Sequence, residues 1–260
     1  MRSLFTLGAL ATLVGCTVGN PDLPDAEAQT SSTATAIIVV ERGAAGDAIV
    51  ARFVRAKQGP VDDVALRTAG VPSLPAFDTC VTTLEGPLVA ARGVEMLDVG
   101  AMTFETTQLA PRSLPDPAGM VGGYFYSSAR STDVFNASSR VALKVAGSAD
   151  LPEGFSVNLP SPRELDDVHV ASSASGLDIG WDATDADARD LIYADVHAPK
   201  FVARCSGSDI GRLAIPSSVL GSVEEGTVSV HRVHREGFKT RGIDPGEVRF
   251  DLARVIGFRR

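Results

Sequence analysis

The sequence predicts an all-β protein built as one or two antiparallel β-sandwich domains. Three observations carry this. Val, Ile and Thr are plentiful, and 25 Gly and 15 Pro among 260 residues supply turns. Short apolar or alternating runs recur at roughly 10–15 residues, the spacing of strands joined by tight turns. No long stretch shows the 3.6-residue periodicity of an amphipathic helix.

Taken in order, the first strand is the apolar run Ala36-Ile-Ile-Val-Val-Glu41. Gly43 to Asp47 turns the chain, and Ala48 to Arg55 returns, with Arg52 and Arg55 breaking an otherwise apolar strand. The two read as a hairpin. Further strands are expected over 78–83, 94–107, 122–128, 139–146 and 154–159. In Arg140-Val-Ala-Leu-Lys-Val145, the residues Val141, Leu143 and Val145 alternate with wetter ones, which marks a strand with one buried face. Leu109 to Pro117 carries three prolines and reads as loop. Pro160 and Pro162 suggest a domain boundary over 160–167.

The second half repeats the idiom. Leu177-Asp-Ile-Gly-Trp-Asp182 places Leu177, Ile179 and Trp181 on one side. Strands follow over 190–196, 200–205, 227–233 and 247–252. Ile215 to Leu220 is the one plausible helical turn, with Pro216 at its start and Gly221 as its stop. Leu97-Asp-Val-Gly echoes Leu177-Asp-Ile-Gly eighty residues on, which raises the possibility of two duplicated domains.

The N-terminus sets the address. Arg2 is the only charge before Asp22, and Leu4 to Val14 is almost wholly apolar. That run is too short to span a bilayer, which takes about twenty residues. It fits the apolar region of an export signal. Leu13-Val-Gly-Cys16 resembles the bacterial lipobox. The resemblance implies cleavage before Cys16 and acylation of its thiol, with several acyl chains giving stable anchorage. Thr17 stands where an inner-membrane retention Asp would be, so the expected location is the outer membrane, on its periplasmic or surface side. Polar residues 17–35 form a flexible tether. The expected organisation is a signal peptide over 1–15, acylated Cys16 and linker over 16–35, one sandwich over 36–160 and a second over 161–260.

Removing Arg2 with the signal leaves 23 basic residues against 32 acidic ones, a net charge of about −9. Such a surface repels nucleic acid. The expected partners are the membrane, through the lipid, and a protein or glycan ligand; no cofactor is expected. After Cys16, the cysteines left are Cys80 and Cys205. In an oxidising compartment they are expected to form a disulfide.

A second resemblance covers Gly176 to the C-terminus. Leu177-x-Ile-x-Trp181, followed by an apolar strand with Tyr193, resembles the early strands of fibronectin-III and immunoglobulin-like domains. The stretch from Cys205 to Leu220, with Val228-Ser-Val-His-Arg232 after it, is similar to uncharacterised lipoproteins of myxobacterial type. The resemblance implies a sandwich fold and an envelope address, and it implies no activity.

Candidate chemistry is sparse. Asp182, Asp185, Asp187 and Asp190 put four carboxylates within nine residues and are the candidates for weak calcium binding, which needs six to eight oxygens. The Gly and Glu of an EF-hand loop are missing, and a solvated acidic turn is the simpler reading. His231 and His234 are three apart; on a strand they face opposite sides and cannot share a metal. His169 and His197 are isolated. No nucleophile elbow, zinc motif, P-loop or dinucleotide fingerprint occurs. The expectation is a non-catalytic envelope lipoprotein with a structural, adhesive or ligand-binding role. Its rival is a surface hydrolase or carbohydrate-active enzyme whose groups converge from positions distant in sequence.

Overall fold

A computed structural model describes residues 33–56, 73–82, 94–114, 123–129, 134, 140–184, 186–187 and 189–260. Cys16, the signal and most of the linker lie outside the described residues, as does Asp185. The fold is all-β.

The N-terminal hairpin forms from strands β1 (Ala34–Gly43) and β2 (Gly46–Ala56), closed by the two residues Ala44 and Ala45. The first strand starts two residues earlier than expected. Ala34 is fully buried and Thr35 nearly so, and burial recruits them from the linker. Strands β3 (Thr79–Val81), β4 (Val94–Met96), β5 (Met102–Phe104), β6 (Thr107–Leu114), β7 (Gly123–Ser127), β8 (Arg140–Val145) and β9 (Phe155–Pro160) follow. The run expected as one strand over 94–107 is split between β4 and β5. Its break holds Gly100 at φ +77°, where a Cβ would sit 2.2 Å from the Gly147 carbonyl oxygen. Leu109 to Leu114, expected as loop, lies in β6. Pro111 is tolerated because β6 pairs with β5 before it and with β7 from Ala110 onward, so each stretch has one free side.

The C-terminal half contributes β10 (His169–Ser173), β11 (Gly176–Gly180), β12 (Leu191–Ala198), β13 (Phe201–Ser208), β14 (Arg212–Pro216), the helical turn α1 (Ser217–Leu220), β15 (Glu225–Thr240) and β16 (Ile243–Arg259). Pro216 is the cap before α1 rather than its first helical residue, and Gly221 ends the turn at φ 56°. β10 and β14 had no signal strong enough to find: β10 is mostly exposed and β14 is five residues long.

The strands pair into a large mixed sheet in the order β3-β13-β12-β15-β16-β1-β2-β7-β6-β5-β8-β9, with β4 also on β2, and a small antiparallel sheet β10-β11-β14. The β1–β16 pair is parallel, so antiparallel pairing does not run through the whole fold. That pair also crosses the expected boundary at 160–167. Strands from 36–160 and from 161–260 are hydrogen-bonded neighbours, and the described residues belong to one compact unit. The echo of Leu97 and Leu177 occupies unlike elements: Leu97 to Gly100 is non-strand, while Leu177 to Gly180 is β11.

By pairing first with β5 and then with β7, β6 carries the chain between layers. The segment β5-β8-β9 packs over β2, β15 and β16 through Phe104–Phe250, Phe53–Phe155 and Phe155–Phe238 ring contacts at 5.7–6.3 Å. Leu177, Ile179 and Trp181 of the small sheet and its exit join the same core. Burying one such Phe contributes about 1.5–3 kcal/mol. Cys80 and Cys205 form the expected disulfide and stand directly opposite each other in the β3–β13 ladder.

Candidate functional site

Alternation decides which side chains reach the face of the large sheet that points away from this core. On β12, Ala194 and Val196 are fully buried in the core, so Tyr193 and Asp195 emerge on the other face. On β15, Val228 and Val230 point inward, which turns Ser229 and His231 outward. On β16, Phe250 and Leu252 point inward and Asp251 outward. Register brings these together. Tyr193 stands opposite His231, and Asp195 stands opposite both Ser229 and Arg204 of β13.

The result is a continuous chain of polar contacts. His231 Nδ1 bonds Asp251 Oδ1 at 2.7 Å, and Ser229 Oγ lies 2.7 Å from His231 Nε2. The Tyr193 hydroxyl donates to the other carboxylate oxygen, Asp251 Oδ2, at 2.7 Å. The Tyr193 ring stacks on the imidazole at 4.2 Å and 11°, and the Arg204 guanidinium lies 5.0 Å from the ring centroid of Tyr193. Arg204 in turn grips both oxygens of Asp195 at 2.7 Å. A carboxylate can only accept, so in the neutral imidazole the proton sits on Nδ1 and Nε2 accepts from the Ser229 hydroxyl. Burial, then the charge and hydrogen bond of Asp251, push the Tyr193 phenol well above its ordinary value, so it stays a donor. The hydrogen bonds to Asp195 hold the Arg204 guanidinium charged, above its usual value.

Next to Asp251 is a cavity of about 190 Å³. Val39, Leu74, Leu191 and Val233 form its apolar walls, and Arg235 and Asp251 its polar edge. Residues 73–76 cross this face: Arg204 Nη1 donates to the Ser73 carbonyl and the Ser206 hydroxyl to that of Pro75.

The opposite face carries two buried charged clusters. His234 places Nδ1 2.5 Å from Asp190 Oδ1 and Nε2 2.9 Å from Glu236 Oε1, while Arg189 binds Glu236 at 2.7 Å. Burial alone would lower the His234 pKa, but the hydrogen bonds it donates to the two carboxylates raise it. Arg232 is 1% exposed; Nε and Nη2 donate to Asp209, Nη1 to the Glu164 carbonyl and Nη2 also to that of Asp182. Trp181 Nε1 completes Asp209 at 2.5 Å.

The described aspartates among the weak calcium candidates turn to separate partners. Asp182 accepts from Arg163 and the Thr184 amide, Asp187 from Arg189, and Asp190 from His234. Among the described residues, no three His, Cys, Asp or Glu side chains converge as a metal set. His231 and His234 occupy opposite faces, with separate partners. Ser229, Tyr193, Asp195, Arg204 and Asp251 carry no local motif. The available signal was limited to Ser229 and His231 sharing a face of a predicted strand.

A scan of the chain against protein-family models finds no match, and a search of curated proteins finds no relative. The geometry alone therefore bears on function. It offers a hydroxyl, an imidazole and a carboxylate in line, held rigid from below by the sheet and from the side by Tyr193.

Proposed function

We propose that this chain is a lipobox lipoprotein of the outer membrane. The signal is cut before Cys16, the thiol is acylated, and a polar tether holds the sandwich body off the bilayer as a structural, adhesive or ligand-binding module. The single observation that carries this reading is Leu13-Val-Gly-Cys16 at the end of an eleven-residue apolar run behind Arg2. The Cys80–Cys205 disulfide supports it, because such bonds persist in oxidising compartments. For the resembled fibronectin-III-like architecture, support comes from residues 176–260 dividing between two sheets: β11 and β14 in the small one, β12, β13, β15 and β16 in the large one.

The test compares the native protein with Cys16→Ser, in cells fed a labelled fatty acid and then fractionated. The native protein should carry label and resist salt extraction from membranes, and the variant should carry none and appear in the soluble fraction. A variant that keeps its membrane association through salt washing overturns the anchor.

A second reading, a hydrolase on the same anchored scaffold, is favoured by one specific observation: the Ser229–His231–Asp251 chain of hydrogen bonds. Both readings share the address and differ in what the outer face of the large sheet does.

A further inference from the structure

Resting on the hydrolase reading, we propose that Ser229 is a nucleophile and that the outer face of β12, β15 and β16 is an acyl-transfer centre for activated acyl donors. Ser229 and His231 are its catalytic residues; Asp251 and Tyr193 are positioning residues.

The argument is geometric. A serine hydroxyl is a weak nucleophile until a base takes its proton, and the base works best when a third group orients it. Here the base is 2.7 Å from the hydroxyl and the orienting carboxylate is 2.7 Å from the base's other nitrogen. The role of such a constellation is recognised by its contacts and not by the order of its residues in the chain. Two further contacts exceed what a structural hydrogen bond needs. Tyr193 satisfies the second oxygen of Asp251 and stacks flat on the imidazole, so tilting the ring breaks the stack and flipping it breaks the bonds to Asp251 and Ser229. Ser229 itself is partly open to solvent, where a substrate can meet it. Asp195, the carboxylate opposite Ser229, is engaged on both oxygens by Arg204, which offsets a charge that would oppose attack.

The same geometry limits the substrate. Ser229 lies in a strand paired on both sides, with β12 and with β16, so its ladder has no spare amide for a developing oxyanion. One missing oxyanion donor costs roughly 10²–10³ in turnover. Acyl donors whose leaving group departs easily, such as thioesters and aryl esters, are the class this arrangement can process; amides and alkyl esters are not.

In the first step, Ser229 Oγ attacks the acyl carbonyl carbon as its proton passes to His231 Nε2. The bond from that carbon to the leaving sulfur or aryl oxygen breaks, and Nε2 returns the proton to the leaving group. Water then gives a proton to Nε2 and attacks the acyl-serine. The carbon–Oγ bond breaks, Oγ recovers the proton, and a carboxylic acid leaves.

The test uses the full-length lipidated protein in detergent, a fluorophosphonate probe with peptide mapping, and 4-nitrophenyl acetate turnover. The expected result is a phosphonyl adduct on Ser229 that Ser229→Ala abolishes. His231→Gln should slow labelling roughly 100-fold or more. Asp251→Asn should slow labelling in a protein that still melts cooperatively, with Asp251→Glu restoring part of the rate. Cooperatively melting protein that takes no probe, or Ser229→Ala labelled like the native chain, overturns the proposal. An adduct on another residue removes Ser229 and leaves the hydrolase reading standing; no adduct and no turnover anywhere removes both.

Discussion

His231 and His234 lie three residues apart in one strand and live in different chemistry. His231 faces outward, between one carboxylate and one hydroxyl. His234 faces the core side, between two carboxylates and close to Arg189. Two acceptors favour two donors, which raises the His234 pKa against the lowering effect of burial, and the ring ties Asp190 to β15. With one carboxylate and one hydroxyl as partners, a neutral His231 donates from Nδ1 and accepts at Nε2. The difference teaches that partner set, more than burial, decides which ring nitrogens of a histidine carry protons. The inner face spends its charges on holding loops; the outer face lines them up.

The largest effects that would break this comparison lie on the inner face. Arg232→Met removes the cation that serves Asp209 and two carbonyls, leaving a buried carboxylate uncompensated. The expected loss is about 3–5 kcal/mol in denaturant unfolding. A loss below about 1 kcal/mol would mean that the cluster does not hold β15 to its loops. Reducing the Cys80–Cys205 bond, which spans 125 residues, is expected to cost about 2–5 kcal/mol, read as a lower melting temperature with dithiothreitol.

Next comes pH. Because the folded pKa of His234 is raised, its contribution is fully present below the ordinary histidine value near 6.5 and is lost as pH rises through the folded value. Stability should therefore fall as pH rises from about 6.5 through the folded value, and His234→Gln should flatten that slope. The groups facing His234 are Asp190 and Glu236, with Arg189 behind them. A native slope that persists in His234→Gln would assign it elsewhere.

On the outer face the expected stability effects are smaller. Tyr193→Phe removes one hydrogen bond to Asp251 and should cost about 1 kcal/mol. The smallest effect is of opposite sign. Arg52 Nε and Nη1 are buried with no hydrogen-bond partner among the described residues, and burial lowers the Arg52 pKa. Replacing it by Met should be neutral or stabilising, on the order of 1 kcal/mol.

The all-β class was legible because period-two alternation is local: Val141, Leu143 and Val145, or Leu177, Ile179 and Trp181, declare their faces without help. The cysteine pair was legible by count and compartment. Pairing partners were not. That β1 runs parallel to β16 depends on contacts across some two hundred residues, and so the expected boundary at 160–167 turned out to join strands of one sheet. Pro111 misled because a proline signals loop until its edge position is known. The outer-face cluster was hidden for the same reason. Ser229 and His231 were visible as face-mates, but Asp251, Tyr193 and Arg204 reach them only through the register of β16, β12 and β13.

That partner set gives two histidines of one strand different proton placements is tested most directly by imidazole nitrogen NMR across a pH titration. The expected spectrum shows His234 keeping both ring nitrogens protonated past the point where histidine ordinarily loses its proton, and His231, in its neutral form, holding its proton on Nδ1. A His234 that titrates at the ordinary value, or a neutral His231 protonated on Nε2, would contradict it.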